Sequence, residues 1–518
     1  MQNCLKLAIV GGGPSAFYVA SRLMSLLPAS SFHGPNLRIH MFDRLWAPHG
    51  LVRYGVAPDH PEVKNCTHKF DEAAQDPRFS FFGNVDFSSS STLNTNMSVP
   101  TSRSPKTTSH PLSMLFNNYS HLLLATGAPS PILHPALPLS SYCIPALSLV
   151  HWYTDHPRLS QPPPALDKVE HVALIGQGNV SLDIARMLLT PPDVLAKYDV
   201  PEHVLEVLRR SAVKHVSIIG RRGPFEAAFT TKELREMTNL SEAAMVPVDP
   251  SLLVPTEGSK VTRQQSRTID LLQKGSKNKY GTTNKTWSLD FFRSPTGLAV
   301  PASGSSGKPV LTLGHTTLDP ATSRAVLTSE TSFTTTDLVV TSLGYHSEPT
   351  MPFYDPALGH LRNVSGRVVC VPEDNAGSTS VLKNVYASGW AATGAKGVLA
   401  STMMNAYAVA DTILSDYFAA LPGSVPGASV QTIPVSPPEP SSGDLAESDG
   451  AVGKTVMNAS PHPEDPPAEI VELVKQGSVT SYEDWKRVDE EEQRRGREKG
   501  KERERIRWEE ARRFLGKA

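Results

Sequence analysis

Residues Leu5 to Leu27 read LKLAIVGGGPSAFYVASRLMSLL. The run up to Val10 is that of a buried strand, and Gly11 to Gly13 stop it. From Pro14 the apolar residues return at helical spacing. Strand, glycine-rich turn and helix in this order open a dinucleotide-binding fold. Within the turn, Gly11-x-Gly13-x-x-Ala16 assigns each position a task. Gly11 permits the tight bend, Gly13 lets a phosphate approach the backbone, and small Ala16 lets the helix pack close to the strand. A pyrophosphate then lies at the positive end of the helix. The next strand, in NLRIHMFDR, ends in Asp43, whose carboxylate is placed to accept hydrogen bonds from ribose hydroxyls.

A second copy of the pattern stands in HVALIGQGNVSLDIARMLL, with Gly176-x-Gly178-x-x-Ser181 between strand and helix. Its following strand, in VKHVSIIGRRGP, ends in Arg221 and Arg222. An acid there would repel a 2′-phosphate, whereas guanidinium groups pair with one at good geometry. The second fold is therefore expected to take NADP, and the first, with Asp43, the unphosphorylated ribose of FAD. Two such folds in one chain suggest a flavoprotein that takes hydride from NADPH, since a flavin accepts two electrons together and can release them singly.

Other features bound the answer. The chain has 518 residues, room for two or three domains, and a formal net charge of −1, which argues against bulk nucleic-acid binding. Its four cysteines, Cys4, Cys66, Cys143 and Cys370, include no C-x-x-C pair, which excludes a disulfide-reductase dithiol and leaves no zinc or iron–sulfur framework. No metal site is expected. No apolar run approaches the roughly 18 residues of a membrane span. The first strand begins so close to Met1 that no presequence fits before it. The chain is already mature, or its start is incomplete, or it is not imported by that route.

The polar stretch Ser88 to His110 reads as a surface insertion. DLVVTSLGY repeats the strand-and-glycine pattern of HLLLATGAP. Residues from about Pro422 to Pro467 have a linker composition, and the charged end of the chain is expected to be helical in part.

Longer stretches carry a resemblance. GLVRYGVAPDHPEVKN (Gly50 to Asn65), GQGNVSLDIARMLLTPP (Gly176 to Pro192), GRRGPFEAAFTTKELREM (Gly220 to Met237), FFRSP (Phe291 to Pro295) and the SGW…TGAKGVLASTM run (Ser388 to Met403) resemble, in order, the adrenodoxin reductase family of mitochondrial NADPH–ferredoxin reductases. The resemblance implies an α/β fold of two Rossmann-like domains, as in glutathione-reductase-like flavoproteins: a discontinuous FAD domain with an NADP domain inserted. The boundaries expected are 1–128 and 336–420 for the FAD domain and 129–335 for the NADP domain. A disordered linker at 421–470 and a charged segment at 471–518, packing on the FAD domain, complete the chain.

The resemblance also carries roles over. Ser15, Asp43, Leu51, Val85 and Trp390, with the turn Gly397, Val398 and Leu399, would contact FAD. Gln177, Gly178, Asn179 and Val180 would hold the NADP pyrophosphate, and Arg221 and Arg222 the 2′-phosphate. Glu233 would contact NADP, and Gly397 would lie where nicotinamide meets flavin. Asp59-His60 belongs to a stretch that the family places beside the flavin, where His60 either relays a proton or is a structural, hydrogen-bonded histidine. Arg263 and Arg267 share a face if their stretch is helical, and match the family's basic patch for a small acidic [2Fe–2S] ferredoxin. The family further implies a mitochondrial monomer and allows peripheral membrane association. Ser15 and Asp43 replace the family's usual Ala and Glu, and Lys396 and its neighbours depart from its pattern beside the flavin. Two rival readings are a glutamate-synthase-type flavin subunit, whose cysteine clusters are missing here, and a nucleotide-binding relative that has lost activity.

Overall fold

The computed structural model describes residues 4–88, 108–158, 162–255, 260–302, 307–370, 380–421, 454–462 and 465–517. Two sheets organise them, the first parallel apart from an antiparallel edge at Asn363–Val364 and Arg367–Cys370 and the second wholly parallel. In the first, Leu5–Val10 lies centrally between Leu37–Asp43 and His121–Leu124; Phe79–Gly83 flanks one side and Ser380–Ala387 the other, all parallel. Both faces of Leu5–Val10 are covered, so each of its side chains is buried, as its unbroken sequence run requires. The helices Pro14–Leu26 and Leu399–Ala419 pack on one face through Phe17, Ala406, Val409 and Ile413.

The second sheet runs Ala243–Met245, Lys285–Asp290, His215–Ile219, His171–Ile175, Leu338–Thr341, Cys143–Pro145, again all parallel. It extends through Leu338–Thr341, past the boundary expected at residue 335. A three-stranded antiparallel sheet, Arg293–Ala299, Val310–Leu318 and Ala325–Thr335, intervenes before that return. Its Leu311 and Leu313 cover Ala173, Ile175 and Ile219.

The two sheets share one local design. Strand order reverses beside Leu5–Val10 in the first and beside His171–Ile175 in the second, the switch points at which open α/β sheets bind ligands. The neighbour across each switch is one of the two strands whose sequences repeat each other, His121–Leu124 and Leu338–Thr341.

The insertion read at Ser88 to His110 lies mostly outside the described residues; its ends pair, Val85–Ser88 against Thr108–Pro111. Most of the expected linker, 421–470, also lies outside them. Its described end is ordered: Lys454–Thr455 pairs in parallel with Leu382 and Lys383 of Ser380–Ala387, and Met457 and Ile470 are buried among apolar neighbours. The charged segment forms helices Ala468–Lys475, Tyr482–Glu498 and Trp508–Leu515. Trp485 and Trp508 pack on Trp46 with ring centroids 6.1 and 5.6 Å away. Buried Arg53 forks onto Glu492 at 2.7 and 3.0 Å. Beyond that contact with the first fold, the segment also reaches the second, where Arg505 pairs with Asp199.

Candidate functional site

At the first switch point Gly11 has φ +108°, and a Cβ there would meet the Ala125 carbonyl oxygen at 2.3 Å. Only glycine allows strand and neighbour to come so close. Two residues on, a Cβ on Gly13 would meet nothing within 4 Å, so the turn opens outward just before the helix N-terminus. Asp43 folds back over this turn. Its Oδ2 accepts the N–H of Gly12 at 2.7 Å and its Oδ1 that of Leu45 at 2.8 Å. Burial pushes its carboxyl up to about 6, with those two N–H donors pulling the other way. Ser15 and Ser388 share a hydrogen bond of 2.6 Å between their hydroxyls.

These groups edge one open, largely apolar cavity. Gly11, Gly13, Ser15, Asp43, Leu51, Val85 and Trp390 all line it, as does Val180 from the second fold. Tyr345 joins Trp390 there, with rings 6.4 Å apart and 11° from parallel. Ala16 lies buried beneath the turn. Gly397, Val398 and Leu399 are outside the lining; Gly397 (φ +83°) precedes the helix Leu399–Ala419, and Val398 is exposed.

The second switch point repeats the first. Gly176 has φ +121°, and a Cβ would meet the Ser342 carbonyl oxygen at 2.2 Å, whereas one on Gly178 would meet nothing within 4 Å. Gln177 turns inward and donates Nε2–H to the Ile218 carbonyl at 3.0 Å. Asn179 Oδ1 accepts the N–H of Thr230 at 2.8 Å. Arg221 and Arg222 are exposed but anchored by their backbones: the Thr316 hydroxyl donates to Arg221 O at 2.8 Å, and Phe292 N–H to Arg222 O at 3.3 Å. Among the described residues neither guanidinium has an ion-pair partner. Charge held ready on a fixed turn suits an anionic ligand.

Between the folds lies a network centred on Arg186. Its Nε and Nη2 bind Asp59 at 2.6 and 3.0 Å, Nη2 also binds Asp183 at 2.8 Å, and Nη1 contacts Glu233 at 3.3 Å and Glu236 at 3.2 Å. His60 Nε2 lies 2.7 Å from Glu236 and 3.9 Å from Glu233. His60 is therefore at the seam between the folds and not among the residues lining the cavity. Burial and the charge of Asp183 push the Glu233 carboxyl up to about 7. His60, Glu233 and Glu236 have the spacing of metal ligands, but Arg186 already supplies a cation there.

Arg263 and Arg267 stand exposed on the helix Arg263–Lys274, and among the described residues neither is ion-paired. Thr262 and Gln265 cap that helix reciprocally.

The chain is 32% identical to bovine mitochondrial NADPH:adrenodoxin oxidoreductase over 522 residues, covering 97% of this chain and 90% of that one. It belongs to the NADPH:adrenodoxin oxidoreductase family. A probable mitochondrial member from Schizosaccharomyces pombe is 36% identical, over 79% of this chain and 81% of its own. The solved structure of Mycobacterium tuberculosis FprA in complex with NADPH superposes with a TM-score of 0.76 at 30% identity, covering 99% of both chains. No family model matches the chain. The fold is thus that of two-domain Rossmann-type flavoproteins, with the two turns in corresponding places.

For this family member, sequence reading missed Arg186, Asp183 and Glu236. Asp183 and Arg186 sit one helical turn apart, the spacing of an ordinary surface pair. Nothing local marks them as a hub. The signal was Asp59, an acid between Pro58 and His60 whose partner lies in the other fold.

Proposed function

We propose that the chain is an FAD-dependent oxidoreductase that takes hydride from NADPH and passes single electrons to a small acidic [2Fe–2S] ferredoxin of adrenodoxin type. One observation carries this reading. Two turns of the same design flank one seam, yet the strand after the first ends in a buried acid and the strand after the second in two exposed arginines with no ion-pair partner among the described residues. Family membership and the NADPH-bound relative support it.

The residues present fit FAD in the first fold. Gly13 leaves open space where a pyrophosphate approaches the helix N-terminus, and this turn opens onto the cavity that Asp43 also lines. Asp43 keeps lone pairs for ribose hydroxyls beyond its two backbone bonds. Leu51, Val85 and Trp390 give apolar walls, and in this reading the turn Gly397 to Leu399 completes the contacts. FAD bound there supplies the conversion of a two-electron donor into one-electron steps.

In the second fold Gln177 to Val180 receive the NADP pyrophosphate, and Arg221 and Arg222 the 2′-phosphate. Glu233, at the seam, contacts NADP, and His60 holds or relays a proton through Glu236. Arg263 and Arg267 give the ferredoxin a cationic landing, which steers encounter more than it adds affinity. The relatives' names support a mitochondrial location; within it the reading is of a monomer in the matrix or peripheral on the inner membrane. Among the described residues no helix is long and apolar enough to cross a membrane. The ferredoxin served feeds cytochrome P450, haem or iron–sulfur pathways.

Purification of the full chain tests the reading. The protein is expected to carry FAD and, with NADPH, to reduce an adrenodoxin-type ferredoxin. A preparation that holds no flavin after reconstitution overturns it.

A further inference from the structure

The cavity wall of the first fold contains a histidine pair that none of these roles uses. The helix Ala146–Tyr153 turns Leu147, Val150 and His151 onto the cavity, positions that share one helical face. Past the helix end Asp155, with φ +48°, bends the chain back. The N–H of His156 then donates to the His151 carbonyl at 2.9 Å. The two imidazoles stack with centroids 3.8 Å apart and planes 14° from parallel. His156 is fixed from two further sides: its Nδ1 accepts the N–H of Arg158 at 3.0 Å, and Tyr54 meets it edge-on at 5.0 Å. The ring nitrogens of His151 have no partner among the described residues.

The pair lies close to the Asp43 side of the cavity, since the charge of Arg44 acts on both imidazoles. Arg158, two residues past His156, binds Asp86, the neighbour of Val85, at 3.0 Å. Asp43, Val85 and Asp86 line the same cavity. An acid in the position of Asp43 takes the ribose, so the wall beyond it faces the base. The cations of this wall are already neutralised, Arg158 by Asp86 and Arg44 by Glu348 at 2.9 Å. Burial, with Arg44 adding to it, pushes the His151 imidazole down to about 4, and burial likewise lowers His156. Both rings are neutral at pH 7. A neutral imidazole offers one donor and one acceptor on an aromatic ring, which suits a purine and has little to offer a phosphate.

We infer that His151 contacts the adenosine half of the bound FAD, with His156 as the positioning ring behind it. The inference rests on the FAD reading of the first fold. Its test is the equilibrium release of FAD when full-length holoenzyme is diluted, in wild type, His151→Phe and His151→Gln. Phenylalanine keeps the ring and loses both nitrogens; glutamine keeps a donor and an acceptor. His151→Phe is expected to release FAD with a Kd about 10-fold higher, and His151→Gln within about 3-fold of wild type, the scale of one net hydrogen bond. If His151→Phe holds FAD as tightly as wild type, or both variants weaken equally, the contact is overturned while the FAD reading stands. If wild type itself retains no FAD, the reading of the first fold fails with it.

Discussion

Arg505 grips Asp199 from 306 residues away in the chain, with Nε and Nη2 at 2.8 and 2.6 Å from the two carboxylate oxygens. Both side chains are buried, and the same guanidinium donates to the carbonyls of Arg53, at 2.8 Å, and Thr154. One side chain thus ties the first fold, the crossing between folds and the second fold to the C-terminal segment. Removing one member of a buried pair strands the other charge, at about 3–5 kcal/mol. Arg505→Met is expected to lose that much unfolding free energy in a denaturant titration.

The same pair makes an acid-sensitive joint. Burial alone would raise the Asp199 carboxyl, but Arg505 and Lys64 outweigh it and hold it far below the ordinary 3.8. A depressed carboxyl contributes stability above its unfolded value and loses it as pH falls through the folded one. The stability gap between wild type and Asp199→Asn is therefore expected to be full above about pH 4 and to close below it. Thermal melts of both proteins across acidic pH check this.

Glu233 has the opposite sign. Its carboxyl is raised from 4.5 to about 7, so the folded chain holds the proton more tightly than the unfolded one. Its contribution to stability falls as pH rises through that window. Glu233→Gln is expected to remove this fall and to melt higher than wild type at about pH 8, with the difference gone near pH 4.5. Melting curves over the range read it directly.

The glycines of the second turn separate folding from binding. Gly176→Ala forces a left-handed backbone and a clash with Ser342 O, and is expected to cost about 1–3 kcal/mol of stability. Gly178→Ala meets open space, so the melting temperature is expected to stay and the KM for NADPH to rise. Equal melting losses in the two variants would contradict that division.

Charge reversal tests the docking face. Arg263→Glu with Arg267→Glu is expected to raise the KM for ferredoxin about 10-fold at low salt, with the effect fading as salt screens it. Steady-state ferredoxin reduction at two ionic strengths measures it.

Much of the fold was legible because it is written locally. Each strand–glycine–helix run spans about twenty residues, and the same stretch fixes both the bend and the open phosphate seat. The likeness of HLLLATG to LVVTSLG marked the strands that lie across the two switch points. Arg221 and Arg222 were legible because their position after a strand carries the meaning. The seam was not. Arg186 reads as a helix cation and becomes a hub only when Asp59, 127 residues earlier, folds against it. Arg505 stood in a charged run expected to pack on the first fold, and nothing in that run pointed to Asp199 in the second. The boundary expected at residue 335 fell short because Leu338–Thr341 rejoins the second sheet after a three-stranded excursion. His151 falls on the cavity-facing side of its helix, but only the bend at Asp155 stacks His156 on it.

The central claim is that the second fold selects NADPH as donor to a flavin held by the first. Steady-state kinetics of Arg221→Ala with Arg222→Ala, using NADPH and NADH in parallel, tests it most directly. A lost charge-assisted bond is worth roughly 1.5–3 kcal/mol, so the KM for NADPH is expected to rise by about 10-fold or more while that for NADH changes little. Equal effects on both nucleotides would contradict the account.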